Sequence, residues 1–215
     1  GLYFSVNKDG NKNIVTLVGT DGHRLAKFSH DIATNIEQIP GVIIPKKTIY
    51  ELSKLLSEID IDIEISISTN KIVFFIGKII FVSKLIDGSF PDYKRVIPKN
   101  NTNVLNISRE KLLSAVDRVS TIANDKSPVI KFKLIENVLN LNSINNESST
   151  ASEDIKINYS GDEIEIGFNS KYIMDIVNNL EDEEICINLN DNTSPITAQE
   201  KSNDKLVYVL MPMRV

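Results

Sequence analysis

Shifting the chain against itself by 124 residues lays Ile49, Leu52 and Leu56 onto Ile173, Ile176 and Leu180. The same shift carries Ile61, Ile63 and Ile65 onto Ile185, Ile187 and Leu189. An internal repeat constrains the fold strongly, because each copy has to bury the same apolar stripes in the same order. The first set has helical spacing and the second alternates as a strand does. The chain therefore reads as two related units, each passing from helix to strand to hairpin. The polar, breaker-rich stretch Ile97-Pro98-Lys99-Asn100-Asn101-Thr102-Asn103 is the natural linker, dividing the chain into residues 1–100 and 101–215.

Most of both units alternates with period two. Asp62–Ser68 and Glu163–Ile166 read as half-buried strands. Phe74-Phe75-Ile76 and Ile79-Ile80-Phe81-Val82, separated by Gly77-Lys78, read as a hairpin. Three segments switch to helical period. Lys46–Leu56 gathers Ile49, Leu52 and Leu56, and Ser170–Leu180 gathers Ile173, Ile176, Val177 and Leu180. Ser108 is placed to cap a helix running to about Ala123, with Leu112, Val116, Val119 and Ala123 on one face. The fold class that follows is α+β, with helices packed on antiparallel sheet. Under the 124-residue shift, the helix after Ser108 has its counterpart before residue 1. The expectation is a fragment whose first unit lacks its opening helix, since Gly1-Leu2-Tyr3-Phe4-Ser5-Val6 is already strand-like and has no initiator Met.

Composition excludes some classes. No apolar run approaches the roughly 18 residues that span a bilayer, and nothing resembles a signal peptide. The single cysteine, Cys186, rules out a disulfide framework within the chain and fits a reducing cytoplasm. His23 and His30 stand in different contexts and no Cys/His set has metal-ligand spacing, so neither metal nor cofactor is expected. The run Glu181-Asp182-Glu183-Glu184 reads as a solvated loop after a helix. A net charge of −5 speaks against a uniformly basic nucleic-acid binder but says nothing of how charge is spread over faces.

Two readings compete for Asp21-Gly22-His23. On a strand, Asp21 and His23 would share a face, as parts of a hydrolase triad do. In a turn, Gly22 would supply a positive φ. No Gly-x-Ser-x-Gly elbow, phosphate loop or His-Glu-x-x-His pair accompanies them, so no catalytic residue is expected. The ending Val209-Leu210-Met211-Pro212-Met213-Arg214-Val215 reads either as a last core strand or as an adaptable apolar surface with two Met side chains. In either case Pro212 would stop further ladder pairing. Lys47 and Lys54 share the face opposite the apolar stripe of their helix, Lys111 and Arg118 repeat that spacing, and Lys171 opens the third helix. Any helix lying on a sheet shows charge to solvent, so these faces alone do not separate a DNA-facing surface from a hydrated one.

Three segments carry a resemblance to a known family. Thr20-Asp21-Gly22-His23-Arg24-Leu25-Ala26 resembles the TDGHRLA segment of the bacterial replicative sliding clamps, the beta subunits of DNA polymerase III. Ser83-Lys84-Leu85-Ile86-Asp87-Gly88-Ser89-Phe90-Pro91-Asp92-Tyr93 resembles their SKL(V/I)DGxFPDY segment. Tyr208–Val215 resembles their YV(V/L)MPMRL ending, with Val215 in place of Leu. The resemblance implies a DNA-clamp fold, with residues 1–100 as the middle domain lacking its first helix and strand, and 101–215 as the C-terminal domain. It implies a non-catalytic processivity factor, a cytoplasmic ring around duplex DNA that binds phosphates without reading sequence. Lys47, Lys54, Lys111, Arg118 and Lys171 would face the DNA. It also implies a hydrophobic groove for short linear motifs of the replicative polymerase subunit, the clamp loader and repair polymerases. That groove would be lined by Thr20, Gly22, His23, Arg24 and Leu25, by Pro91, Arg95 and Val96, and by Val209, Met211, Pro212, Met213 and Arg214. Asn169, Tyr172, Thr193 and Pro195 would extend it, and the family has a further apolar wall residue just before the position of Gly1. The full-length protein would be a homodimer and this fragment a monomer. A scaffold of the same fold class that binds protein partners without a DNA role is the alternative.

Overall fold

The computed structural model describes residues 1–32, 38–57, 59–123, 128–144 and 149–214. They form two compact units: Gly1–Thr20 with Lys27–Tyr93, and Asp21–Ala26 with the chain from Lys94 onward. The short segment Asp21–Ala26 thus counts with the second unit although the first surrounds it in sequence.

In the first unit, β1 (Leu2–Asp9), β2 (Lys12–Thr20), β3 (Arg24–Ile32) and β4 (Ile39–Ile44) lie in the order β4-β1-β2-β3. The helix α1 (Lys46–Leu56) has the expected bounds and is followed by an antiparallel sheet of β5 (Glu64–Ile67), β6 (Lys71–Ile76) and β7 (Ile79–Lys84). The expected hairpin is present. Ile76 pairs with Ile79 across Gly77, whose φ of +58° suits a residue without a Cβ. Ile49, Leu52, Leu55 and Leu56 of α1 pack on a core of Phe4, Val6, Ile44, Ile72, Phe74 and Ile76. The hydroxyls of Thr48 and Ser83, 2.6 Å apart, tie α1 to β7.

One expected strand differs. Asp62–Ser68 is extended as a strand only over Glu64–Ile67, and Ile65 remains 39% exposed. Among the described residues β5 pairs with β6 alone, so its side chains are covered from one flank.

The second unit comprises β8 (Asn103–Ser108), α2 (Arg109–Ser120), β9 (Val129–Ile135), β10 (Val138–Ile144), β11 (Thr150–Lys156), β12 (Ile164–Asn169), α3 (Ser170–Asn178), β13 (Glu184–Leu189), β14 (Ile196–Glu200) and β15 (Leu206–Leu210). One sheet runs β11-β10-β9-β12, and β15-β14-β13-β8 are consecutive neighbours in another. Both helices turn apolar faces into one core, α2 through Leu112, Ala115, Val116 and Val119, α3 through Ile173, Ile176 and Val177. Ser108 caps α2 as expected, its Oγ accepting the Lys111 N–H at 3.4 Å. The helix stops at Ser120 instead of reaching Ala123. Hydroxyls of Ser120 and Thr121 bond back to the Asp117 carbonyl there, the competition by which such residues weaken a helix end.

The repeat is visible as topology. The order β4-β1-β2-β3 recurs as β12-β9-β10-β11, and β5-β6-β7 recurs as β13-β14-β15. The burial does not recur. Ile185, Ile187 and Leu189 of β13, which pairs with both β14 and β8, are buried in the core they share with α2 and α3. The polar stretch before β8 is also less tether-like at its end than its composition suggests. The Asn101 side-chain amide donates to the carbonyls of Asn188 and Pro195, and that of Asn103 to Asn190.

The segment Asp87–Tyr93 has a structural task in the first unit. Tyr3 of β1 packs against Phe90 at 5.1 Å and Tyr93 at 5.6 Å between ring centroids. Gly41 of β4 lies against the same ring, and a Cβ there would fall 2.2 Å from Tyr3 Cε2. Gly41→Ala should displace Tyr3 from its aromatic neighbours and destabilise the first unit by about 1–3 kcal/mol, the usual penalty of overpacking. Urea unfolding checks this, and an unchanged midpoint would show that the ring is free to move aside.

Candidate functional site

The turn at Asp21–Arg24 is set by its own side chain. Asp21 Oδ1 accepts the N–H groups of His23 and Arg24, both at 3.0 Å, and Gly22 sits at φ +88°. This is Asx-turn chemistry, so the turn reading of Asp21-Gly22-His23 holds. None of these bonds reaches the His23 imidazole, which stacks on Tyr172 at 6.4 Å between centroids. Burial raises the Asp21 carboxyl, but hydrogen bonds from His23 and Arg24 outweigh it and hold the group below its ordinary range.

Arg24 connects this turn to α3. Its Nε donates to Asp21 Oδ2 at 3.1 Å, its Nη1 donates to Asp175 Oδ2 at 2.6 Å, and its Cζ lies 4.3 Å above the centroid of the Tyr172 ring. Partial burial opposes the charge, yet the bonds to Asp175 and Asp21 raise the guanidinium's pKa further. Tyr172 is carried on the first turn of α3, which Asn169 caps by accepting the Lys171 N–H at 3.0 Å. The Asn169 side-chain oxygen thus serves the start of the helix.

The chain's last described residues are pinned on both sides of Pro212. Met211 donates its N–H to the His23 carbonyl at 2.9 Å, and Met213 donates to Gly167 at 2.8 Å. The ladder of β15 ends at Leu210, but Pro212 does not end pairing altogether, because Met213 forms an isolated bridge with Gly167. Proline lacks one donor, and its two neighbours supply theirs, Met211 to the turn at His23 and Met213 to β12. Val209 and Leu25 are buried, Pro212 and Met213 half-buried, while Met211 and Val96 are 37% and 41% exposed. A ligand on this surface meets Met211 directly and reaches Leu25 or Val209 only if their neighbours move. Gly22, His23, Arg95, Thr193 and Arg214 are exposed and Pro195 half-buried, while exposed Thr20 and Pro91 count with the first unit. Val215 lies outside the described residues.

Sequence reasoning missed two carboxylates. Asp175 meets Arg24 from 151 positions away, which no local pattern signals. Asp191 had a readable signal in Asp191-Asn192-Thr193-Ser194, a turn-forming run. Its Oδ1 accepts the N–H groups of Thr193 and Ser194 at 2.8 and 2.7 Å and the Thr193 hydroxyl at 2.8 Å, and its Oδ2 accepts the Ser194 hydroxyl at 2.8 Å.

The five helix cations that the resemblance turns toward DNA are all exposed, and their surroundings differ. Lys47 on α1, Lys111 on α2 and Lys171 on α3 face solvent. Lys54 lies 3.6 Å from Glu51 and 4.0 Å from the Tyr50 ring centroid. Arg118 makes two bonds to Glu153, at 3.0 and 2.5 Å, which raise its pKa and lower that of Glu153. Exposed pairs of this kind are worth only about 0–1 kcal/mol, so a competing anion separates them readily.

Asp191 gives a direct test of how the loop bearing Thr193 and Pro195 is held. The Thr193 and Ser194 hydrogen bonds depress its folded-state pKa far below the ordinary value, so its contribution is complete above about pH 4 and is lost as pH falls through the folded-state value. Asp191→Ala should speed amide exchange of Thr193 and Ser194 at neutral pH by about tenfold or more, since charge-assisted bonds are removed. Equal exchange in both proteins would mean the loop is held elsewhere.

Comparison with known proteins follows the same division. The family model for the central domain of the DNA polymerase III beta subunit matches residues 1–92, and that for its C-terminal domain matches residues 94–214. A beta sliding clamp from Caulobacter vibrioides is 35% identical over 215 residues, covering 100% of this chain and 58% of its own length. The beta sliding clamp of Escherichia coli K12 is 37% identical over 198 residues, covering 92% of this chain and 54% of its own. Among solved structures, a Bartonella birtlesii sliding clamp bound to griselimycin has a TM-score of 0.96 at 43% identity, over 100% of this chain and 58% of its own. The Caulobacter crescentus pol III beta structure follows at 0.94 and 35% identity, with the same coverage. The chain thus spans little more than half the length of these relatives, and its α+β architecture is theirs.

Proposed function

The chain belongs to the DNA polymerase III beta subunit family, and we propose that it is part of a sliding clamp, a non-catalytic processivity factor of DNA replication. The observation that carries this reading is the pair of domain matches, in order over residues 1–92 and 94–214, on a backbone close to that of a sliding clamp. In this reading residues 1–100 are the middle domain and 101–215 the C-terminal domain of a protein that acts in the cytoplasm as a homodimeric ring. A ring retains the polymerase by topology, so its contacts with duplex DNA can stay weak and blind to sequence. Lys47, Lys54, Lys111, Arg118 and Lys171 supply such contacts to phosphates.

Short linear motifs of the replicative polymerase, the clamp loader and repair polymerases dock on the second unit. Met211, Val96 and Met213 offer apolar walls, and the turn Gly22–Arg24 with Tyr172 offers polar and aromatic ones. Arg95, Thr193, Pro195, Asn169, Pro212 and Arg214 complete the assignment on this unit, with Leu25 and Val209 as its buried floor.

A peptide ending in Leu-Phe should bind with roughly micromolar affinity, two buried apolar side chains at about 1.5–3 kcal/mol each offsetting the ordering costs. Griselimycin, bound in the Bartonella relative, should compete with it. Truncation after Leu210 should weaken binding at least about tenfold, but it also removes the bonds to His23 and Gly167. Met211→Ala keeps the backbone bond and should weaken binding by about three- to tenfold, whereas His23→Ala should have less effect. If calorimetry gave both Met211 variants the parent affinity while folded, the groove assignment would be wrong.

Binding to duplex DNA should be no tighter than about 10⁻⁴ M at physiological salt, without sequence preference. Lys47→Ala should lower the slope of log affinity against log salt by about one unit. Sequence-dependent, salt-insensitive binding in a titration would contradict the phosphate reading.

A further inference from the structure

Beyond the assigned lining residues, we infer that Asp175 is a positioning residue for this groove, acting through Arg24 on the aromatic ring of Tyr172. The inference rests on the reading of the groove above. Its basis is a three-part contact. Asp175 lies three residues after Tyr172 on α3, so the helix presents ring and carboxylate on one side. The Arg24 guanidinium is bonded edgewise to two carboxylates, by Nη1 to Asp175 at 2.6 Å and by Nε to Asp21 at 3.1 Å. Two carboxylates on two edges fix the plane of a planar fork, and its face is then directed at Tyr172, 4.3 Å from the ring centroid. His23 stacks on the same ring at an interplanar angle of 28°. Tyr172 is therefore packed by both His23 and Arg24, and Asp175 sets the geometry of the second contact.

A single exposed ion pair would carry little weight, and the Asp175 side chain is 59% exposed. The difference here lies in what the pair orients. Without the Asp175 charge Arg24 loses the bond that ties its Nη1 to α3. The guanidinium face then loses its fixed position over the Tyr172 ring, while the His23 stack, the helix and its buried face remain. The consequence falls on the groove and not on the fold, because Ile173, Ile176 and Val177 still fill the core.

The test uses the whole chain and four proteins: the parent, Asp175→Asn, Asp175→Glu and Arg24→Lys. Binding of the Leu-Phe peptide is measured by calorimetry, the Tyr172 ring resonances by NMR, and folding by thermal melting. Asp175→Asn should weaken the peptide by about five- to tenfold and shift the Tyr172 resonances, with little change in melting. Asp175→Glu should restore most of the affinity and the parent resonances. Arg24→Lys, which keeps the charge but loses the planar fork, should resemble Asp175→Asn. Parent affinity and unmoved Tyr172 signals in Asp175→Asn would overturn the inference, as would failure of Asp175→Glu to restore either. A parent chain that binds no peptide would overturn the groove reading instead. The Tyr172 resonances would then still decide whether Asp175 orients the ring.

Discussion

A strand buries its side chains when another layer covers its face, and in the second unit α2 and α3 share one core with the strands beneath them. β13 pairs with β14 on one edge and β8 on the other, and its Ile185, Ile187 and Leu189 vanish into the core. The corresponding strand of the first unit, β5, pairs with β6 alone among the described residues, and Ile65 stays partly in water. The same apolar alternation thus gives different burial. Ile185, Ile187 and Leu189 lie in a core that α2 and α3 fill, whereas Ile65 is not part of the core that α1 covers.

The second unit's core also determines what its surface can do. α3 drives Ile173, Ile176 and Val177 inward and, at the intervening positions, holds Tyr172 and Asp175 toward the turn at His23 and Arg24. β12 leads into that helix and also accepts the Met213 N–H through Gly167. Turn, helix and chain ending therefore share one support. Met211 bonded to the His23 carbonyl closes the circuit, which is why an exposed apolar ending keeps a defined position.

Spacing was a good guide wherever a helix had to bury a stripe. Leu52 and Ile176 mark their helices correctly, and Ser108 marks the start of α2. It was a poorer guide at ends, where the Ser120 and Thr121 hydroxyls take the Asp117 carbonyl and end α2 early. The basic faces were legible as exposed, yet nothing local to Arg118 announces Glu153, which reaches it from β11. That Asn169 also caps α3 is visible only once the helix start is known.

By itself the sequence determined the periodicities, the repeat, the turn chemistry of Asp21 and Gly22, and the family to which three short segments point. These are properties of residues a few positions apart, and torsion angles and short side chains act over that range. The tertiary structure alone decided which alternating strand is buried, which cations carry carboxylate partners, and which residues orient Tyr172. Such outcomes depend on groups far apart in the chain, as Asp175 is from Arg24, and only the packing of sheets and helices brings them within a few ångströms.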